Sequence, residues 1–435
     1  MTNNSGFFEK FFKLSEHGTN AKTEVLAGIT TFMTMAYILI VNPLILADAG
    51  MDFGAVFTAT ALASLVATLV MAFYANLPFV LAPGMGLNAF FAYTVVLTMG
   101  YSWQFALTAV FIEGIIFLIL TFFNVREAII DSIPQNIKKA VSVGIGLFIA
   151  FIGLYNSGIV IQGAGVPLSL GDFVANPNTQ VALAGLVITG VLLALKVKGA
   201  ILLGIIISTI LSIPLGVAQL PGSIFSMPPA MNVFAFEFDK ILTADMWIVL
   251  GTFLFVDMFD TIGTLIGVST KANMLDENGK LPGVKKALFA DAIGTTFGAM
   301  VGTSTVTTYV ESASGVAEGG RTGMTALVSA GLFFVALFIS PLFIMIPGAA
   351  TAPALIIVGL FMMSPIKEID LDDFTEAIPA FLTIIMMPFA YSIAEGIVFG
   401  IVSYALIKTL AGKSKEVPIV TYVLAVLFIL KEIFA

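Results

Sequence analysis

The 435-residue chain is 59% hydrophobic and only 11% charged, with 39 phenylalanines and a net charge of -8, a composition whose usual solvent is lipid. It has no cysteine and one histidine, His17 in the polar N-terminal tail. That excludes disulfides, thiolate metal sites and a cysteine nucleophile, and argues against histidine relays and metal catalysis. With no basic patch for nucleic acid or anionic lipid, the expectation is an all-α polytopic membrane protein, not an enzyme, with no cofactor and no resident metal.

Residues 1–24 carry Lys10, Lys13 and Lys22 among acids and lack an apolar core ending in a cleavage site, so they read as a cytoplasmic tail rather than a signal peptide. Phe7, Phe8, Phe11 and Phe12 recur at helical spacing and predict a short interfacial helix. Apolar stretches follow at 25–47, 55–75, 80–100, 104–123, 138–158, 180–196 and 199–218, then at 246–268, 284–301, 303–318, 322–346, 350–363, 376–390 and 391–411. They predict about fourteen spans. The first seven fill 25–218 and the last seven fill 246–411, on either side of an extracellular connection at 219–245. The tail 412–435 contains a stretch, 418–430, that is short for a crossing and predicts a surface helix, a fifteenth span being the alternative.

Orientation follows from the 19 Lys and Arg. Even-numbered connections hold Arg126, Lys138, Lys139, Lys196, Lys198, Lys271, Lys280, Lys285, Lys286, Arg321 and Lys367, and the tails hold Lys10, Lys13, Lys22, Lys408, Lys413, Lys415 and Lys431. Only Lys240 is left for the odd-numbered connections, so both termini are expected in the cytoplasm of a plasma-membrane protein.

Two spans are interrupted. The third, NLPFVLAPGMGLNAFF (76–91), is broken by Pro78, Pro83, Gly84 and Gly86, and the tenth, VGTSTVTTYVESASGVAEGGRTG (301–323), has a β-branched run without a sustained apolar helix. Matched breaks in two halves are the mark of an inverted-repeat transporter that binds its substrate where the broken helices meet. The expectation is an extended piece at Leu77 to Leu81 with a half-helix from about Met85, and another at Thr303 to Thr308 with a half-helix from near Tyr309. Two kinked helices without a site are the alternative.

Glu113, Asp257, Asp260, Asp291, Glu311 and Glu395 lie at membrane depth, and the spans set no Lys, Arg or His against them. Each costs at least ~2.5 kcal/mol there unless it is protonated, hydrated or hydrogen-bonded. Asp257, Asp260, Thr261 and Thr264 fall at i, i+3, i+4 and i+7 and form one polar stripe on the eighth span. Glu311 with Tyr309 and Ser312 opens the tenth half-helix, and Gly86, Leu87 and Asn88 open the third. Carboxylates and a carboxamide without a cation suit a neutral ligand rich in N–H and C=O groups, whose carbonyls the half-helix amides can serve. The bland alternatives are a helix-packing or proton-bearing structural role for Asp257, interhelical bonding for Glu113, Asp291, Glu395 and Asn88, back-bonding for Thr30, Thr31 and Thr34, and core packing for Phe90 and Phe389.

APGMGLNAFF (82–91), FVDMFDTIGT (255–264), TSTVTTYVESASGVAEGGRTG (303–323) and AGITTFMTMAYILIVNP (27–43) resemble the signature segments of AzgA-type purine permeases, the hypoxanthine, guanine and adenine branch of the nucleobase:cation symporters type 2. The similarity covers nearly the whole chain. It implies the uracil-permease fold, two inverted repeats of seven spans, with spans one to four and eight to eleven as a core domain and the remaining six as a gate domain. It also implies that Glu311 and Asp260 hold the base and that Asp257 and Asn88 are needed; Thr34, Thr261, Ser312, Gly86, Leu87 and Phe90 are the further substrate-site candidates. Asp stands at 260 where the uracil branch has Glu, and Thr264 where that branch has His, so a bicyclic purine is expected rather than uracil. Asp257, Asp260 and Glu311 are the candidates for proton coupling, with a proton favoured over sodium and a homodimer left open. The rival readings are a cation/proton antiporter built on Asp257 and Asp260, and an intramembrane aspartyl protease, whose two aspartates need separate helices and a GxGD context missing here.

Overall fold

The computed structural model describes residues 7–123, 134–163, 165–271, 274–276 and 281–434. Residues 1–6 of the tail, and Arg126 and Lys280 among the orienting charges, lie outside them. The helices are α1 (Phe7–Phe12), α2 (Ala21–Met35), α3 (Ile38–Asp48), α4 (Phe53–Val70), α5 (Met85–Ala89), α6 (Trp103–Phe123), α7 (Gln135–Asn156), α8 (Pro177–Ala194) and α9 (Ala200–Ser212). After the long connection come α10 (Ala244–Lys271), α11 (Val284–Val301), α12 (Ser312–Ala317), α13 (Gly323–Phe338), α14 (Ser340–Ile344), α15 (Gly348–Met362), α16 (Phe374–Phe389), α17 (Ile393–Leu410) and α18 (Ile419–Phe434). Strands β1 (Leu81–Pro83) and β4 (Val306–Thr308) pair with each other, as do β2 (Val160–Ile161) and β3 (Ser169–Leu170). Among the described residues, seven helical stretches are long and apolar enough to cross a membrane, and four shorter apolar helices accompany them, which makes the all-α polytopic class plain.

Helix starts follow local chemistry. Asn20 accepts from Thr23 N at 3.1 Å, Asp52 from Ala55 N at 2.8 Å and Asp373 from Thr375 N at 2.8 Å, each satisfying an otherwise orphaned first-turn amide. α11 ends on Gly302 at φ +98, where a side chain would also meet Asn232 O at 2.9 Å. That contact belongs to the connection 219–243, which lies over the helix ends: Ser226 N donates to Phe338 O, Phe234 N to Met300 O and Glu237 N to Thr108 Oγ1.

The helices pack in two groups. α11 lies on α4 and α6, and α13 on α2 and α4; separately, α15 and α16 lie on α7, α17 on α16, and α9 and α15 on α8. Several boundaries differ from expectation. The first span is two helices, α2 and α3, joined at Ala36 and Tyr37. The third-span strand is 81–83 rather than 77–81, and the tenth half-helix starts at Ser312 rather than Tyr309, because 309–311 form a turn in which Ser312 N donates to Tyr309 O and Ser314 N to Glu311 O. The tail helix runs to Phe434. Phe389 is 77% exposed, so it is not core. Lys408 corrects the expectation of cation-free spans: it is buried on α17 and pairs with Glu376 at 2.8 Å and Glu416 at 2.6 Å.

Candidate functional site

The two broken spans meet through their backbones. β1 and β4 are antiparallel, with Leu81 opposite Thr308, Ala82 opposite Thr307 and Pro83 opposite Val306, and Gly84 N extends the ladder to Thr305 O at 2.9 Å. Each strand is also held by a threonine of the preceding span. Thr68 accepts from Leu81 N and donates to Leu81 O; Thr295 does the same for Val306 N and O. Extended backbone at this depth is tolerable because its polar groups are met in this way. At Gly84 a Cβ would lie 2.5 Å from Thr307 Cγ2, so only glycine lets the strands approach. Ser312 Oγ accepts from Val80 N at 3.0 Å, and Tyr309 donates its hydroxyl to Pro83 O at 2.6 Å.

Glu311 stands at the start of α12, partly buried, with the fully buried Tyr37 donating its phenol to Oε1. A cavity of about 340 Å³ reaches it, lined also by Thr30, Thr34, Ser314, Lys196 and Lys198. Lys198 is committed to an ion pair with Glu318. The volume is in the range that holds a small ligand. Asp260 lies with its Oδ2 against Gly84, near enough to Glu311 and Asp291 for their charges to interact. Thr34 both lines the cavity and bonds back to Thr30 O and Thr31 O.

The other expected residues sit behind this face. Thr261 is the hub of a buried cluster, 3.2 Å from Asp257 Oδ1, 2.7 Å from Asp291 Oδ1 and 2.6 Å from Thr307 Oγ1. Asp291, which looks isolated along the chain, is therefore joined to Asp257 and to β4. Asn88 is spent on the scaffold: Ser304 donates to its Oδ1 and it donates to Pro83 O. Glu113 accepts from Thr305 at 2.6 Å, the interhelical bond expected of it. Leu87 is buried, Gly86 lets Ile145 of the other helix group come close, and Phe90 packs edge-on against Phe253. Asp291 makes the interhelical bond expected of it, whereas Tyr37 and Thr307 were not singled out from the sequence, since each gains its meaning only from a partner far along the chain.

A second cavity, about 430 Å³, includes Asp48, Tyr93, Asn156 and Asn178. Asn178 begins α8, whose other end leads to Lys196, so the two cavities lie at opposite ends of that helix. Here the helix groups are tied: Tyr93 donates to Asp48 at 2.7 Å, Asn156 donates to Asp48 at 3.3 Å, and Tyr391 packs edge-on against both Tyr93 and Phe148.

Residues 22–399 match a family profile described as Permease family. The chain is 45% identical to the guanine/hypoxanthine permease PbuG of Bacillus subtilis (strain 168), over 98% of this chain and 99% of that protein. It is 43% identical to the adenine permease AdeP of Escherichia coli (strain K12), over 100% of this chain and 98% of that protein. The transmembrane domain of the cyanobacterium bicarbonate transporter BicA superposes with a TM-score of 0.66 at 16% identity, covering 87% of this chain and 97% of that one. At that identity the likeness is one of fold.

Proposed function

The chain belongs to the nucleobase:cation symporter type 2 permease family, a multi-pass membrane transporter of nucleobases and not an enzyme, and from that premise we propose that it imports hypoxanthine, guanine or adenine by proton symport across the plasma membrane. The observation that carries this reading is Glu311: a carboxylate at the joint of two broken helices, held by Tyr37 and reached by a cavity from one side. A carboxylate accepts an N–H of a neutral base, while an anionic ligand would need a free Arg or Lys. Of the two lysines that line the cavity, Lys198 is paired with Glu318, and no ion pair to Glu311 is found among the described residues.

In this reading Glu311 and Asp260 hold the base, and the amides of Gly86 and Leu87 and of the tenth half-helix complete the site. Asp257, Asp260 and Glu311 are the groups that exchange the proton. The domain division is that of the two helix groups, a core of spans one to four and eight to eleven and a gate of the rest. With both termini cytoplasmic, the Glu311 cavity opens inward, and the Asp48, Tyr93 and Asn156 tie closes the outer end. Alternating access then requires that tie to break as the core moves against the gate. The test is radiolabelled hypoxanthine uptake into proteoliposomes with an imposed proton gradient, competed by adenine and guanine. Uptake that a protonophore leaves unchanged removes the proton coupling, and absence of any purine uptake removes the substrate class.

A further inference from the structure

Glutamate is a long, flexible side chain, and Glu311 makes no capping bond to the turn of α12 that follows it, only a bond to its own backbone N–H. Tyr37 is the opposite: it is fully buried within the main apolar cluster, at the junction of α2 and α3, and has only two side-chain rotors. Its phenol reaches across from the first span to Glu311 Oε1. A hydroxyl both donates and accepts, so this contact survives whether or not Glu311 carries a proton.

We propose that Tyr37 is a positioning residue for substrate recognition, which holds the Glu311 carboxyl toward the cavity by engaging Oε1 and leaves Oε2 as the acceptor offered to the base. The proposal rests on the permease reading above. It assigns the junction in the first span a purpose: the α2–α3 break sets the buried phenol opposite the tenth half-helix, so one repeat orients the charged group of the other. Tyr37 does not line the cavity; it acts through Glu311.

The test is hypoxanthine binding by calorimetry to the full chain in nanodiscs, as wild type, Tyr37→Phe, Glu311→Gln and the double variant. Tyr37→Phe is expected to weaken binding about tenfold, as for loss of a hydrogen bond to a charged group, with a smaller loss in the Glu311→Gln background, where the neutral carboxamide still accepts from the phenol. Equal losses in both backgrounds, or none in the wild type, overturn the proposal. A wild-type chain that binds no purine base overturns the permease reading instead. In that case, or where Glu311→Gln binds too weakly to measure, infrared spectra of the folded, ligand-free protein decide. The Glu311 carboxyl band, identified by its loss in Glu311→Gln, is expected to shift in Tyr37→Phe; an unmoved band refutes the positioning role.

Discussion

The third and tenth spans are broken alike and furnished differently. Both pass from a short strand to a half-helix, both strands are clasped by a threonine of the preceding span, Thr68 or Thr295, and neither half-helix has a side-chain cap at its start. Yet the third contributes Gly84, Gly86 and an Asn88 tied up in scaffold bonds, while the tenth contributes Glu311. The repeat duplicates a backbone device but not its side chains: small residues collect where the backbone approaches closely, and the carboxylate that the proposed reading gives to the base stands in the other copy.

The sharpest way to break this asymmetry is to remove the charge. Glu311→Gln is expected to lower purine uptake by about 10- to 100-fold while the melting temperature stays near wild type, whereas Asn88→Ala is expected to lower the melting temperature as well as uptake. Uptake and thermal unfolding measured on the same purified variants check both. Next in size, Gly84→Val forces a side chain onto Thr307 and is expected to destabilise the strand pair by about 1–3 kcal/mol, with loss of transport. The symmetric part of the comparison is tested by Thr68→Val and Thr295→Val. Each leaves one buried N–H and one C=O unmet and is expected to cost about 1–3 kcal/mol, with similar shifts in melting temperature. Markedly unequal shifts would show that the two clasps are not equivalent.

The smallest effect is expected at the outer tie. Tyr93→Phe removes the donor to Asp48 and is expected to raise outward opening a few-fold, about 0.5–1.5 kcal/mol. Because the chain has no cysteine, a single Cys placed at Thr351 in the outer cavity is an unambiguous reporter. Its labelling by a membrane-impermeant maleimide is expected to quicken in Tyr93→Phe, and an unchanged rate argues against the tie.

What was legible in the sequence is what is written locally. Pro83, Gly84 and Gly86 interrupt an apolar run, and the β-branched stretch 303–308 cannot be a good membrane helix, so both breaks could be read before any coordinates. Their limits could not. The tenth half-helix begins at Ser312 because Tyr309 turns its hydroxyl to Pro83 and 309–311 close a turn, and that partner lies in the other repeat. Asp291 gives no sign along the chain of the partner it meets, yet Thr261 joins it to Asp257. Tyr37 sits in a run whose neighbours are all apolar, where an aromatic reads as packing. In each case the missing information was the identity of a neighbour far along the chain. The Asp257 and Asp260 pair shows the converse: three residues apart on one helix, they end in different surroundings, one in the Thr261 cluster and the other beside Gly84.

The pairing of β1 with β4 has a mechanical corollary. Three paired strand positions, the Gly84–Thr305 bond and two threonine clasps make the tips of both half-helices a single riveted floor, drawn from the two halves of the gene product and unable to slide past one another without tearing buried hydrogen bonds. In the transport cycle proposed above, a base held at Glu311 travels with that floor, its seat keeping one shape while the openings on either side alternate.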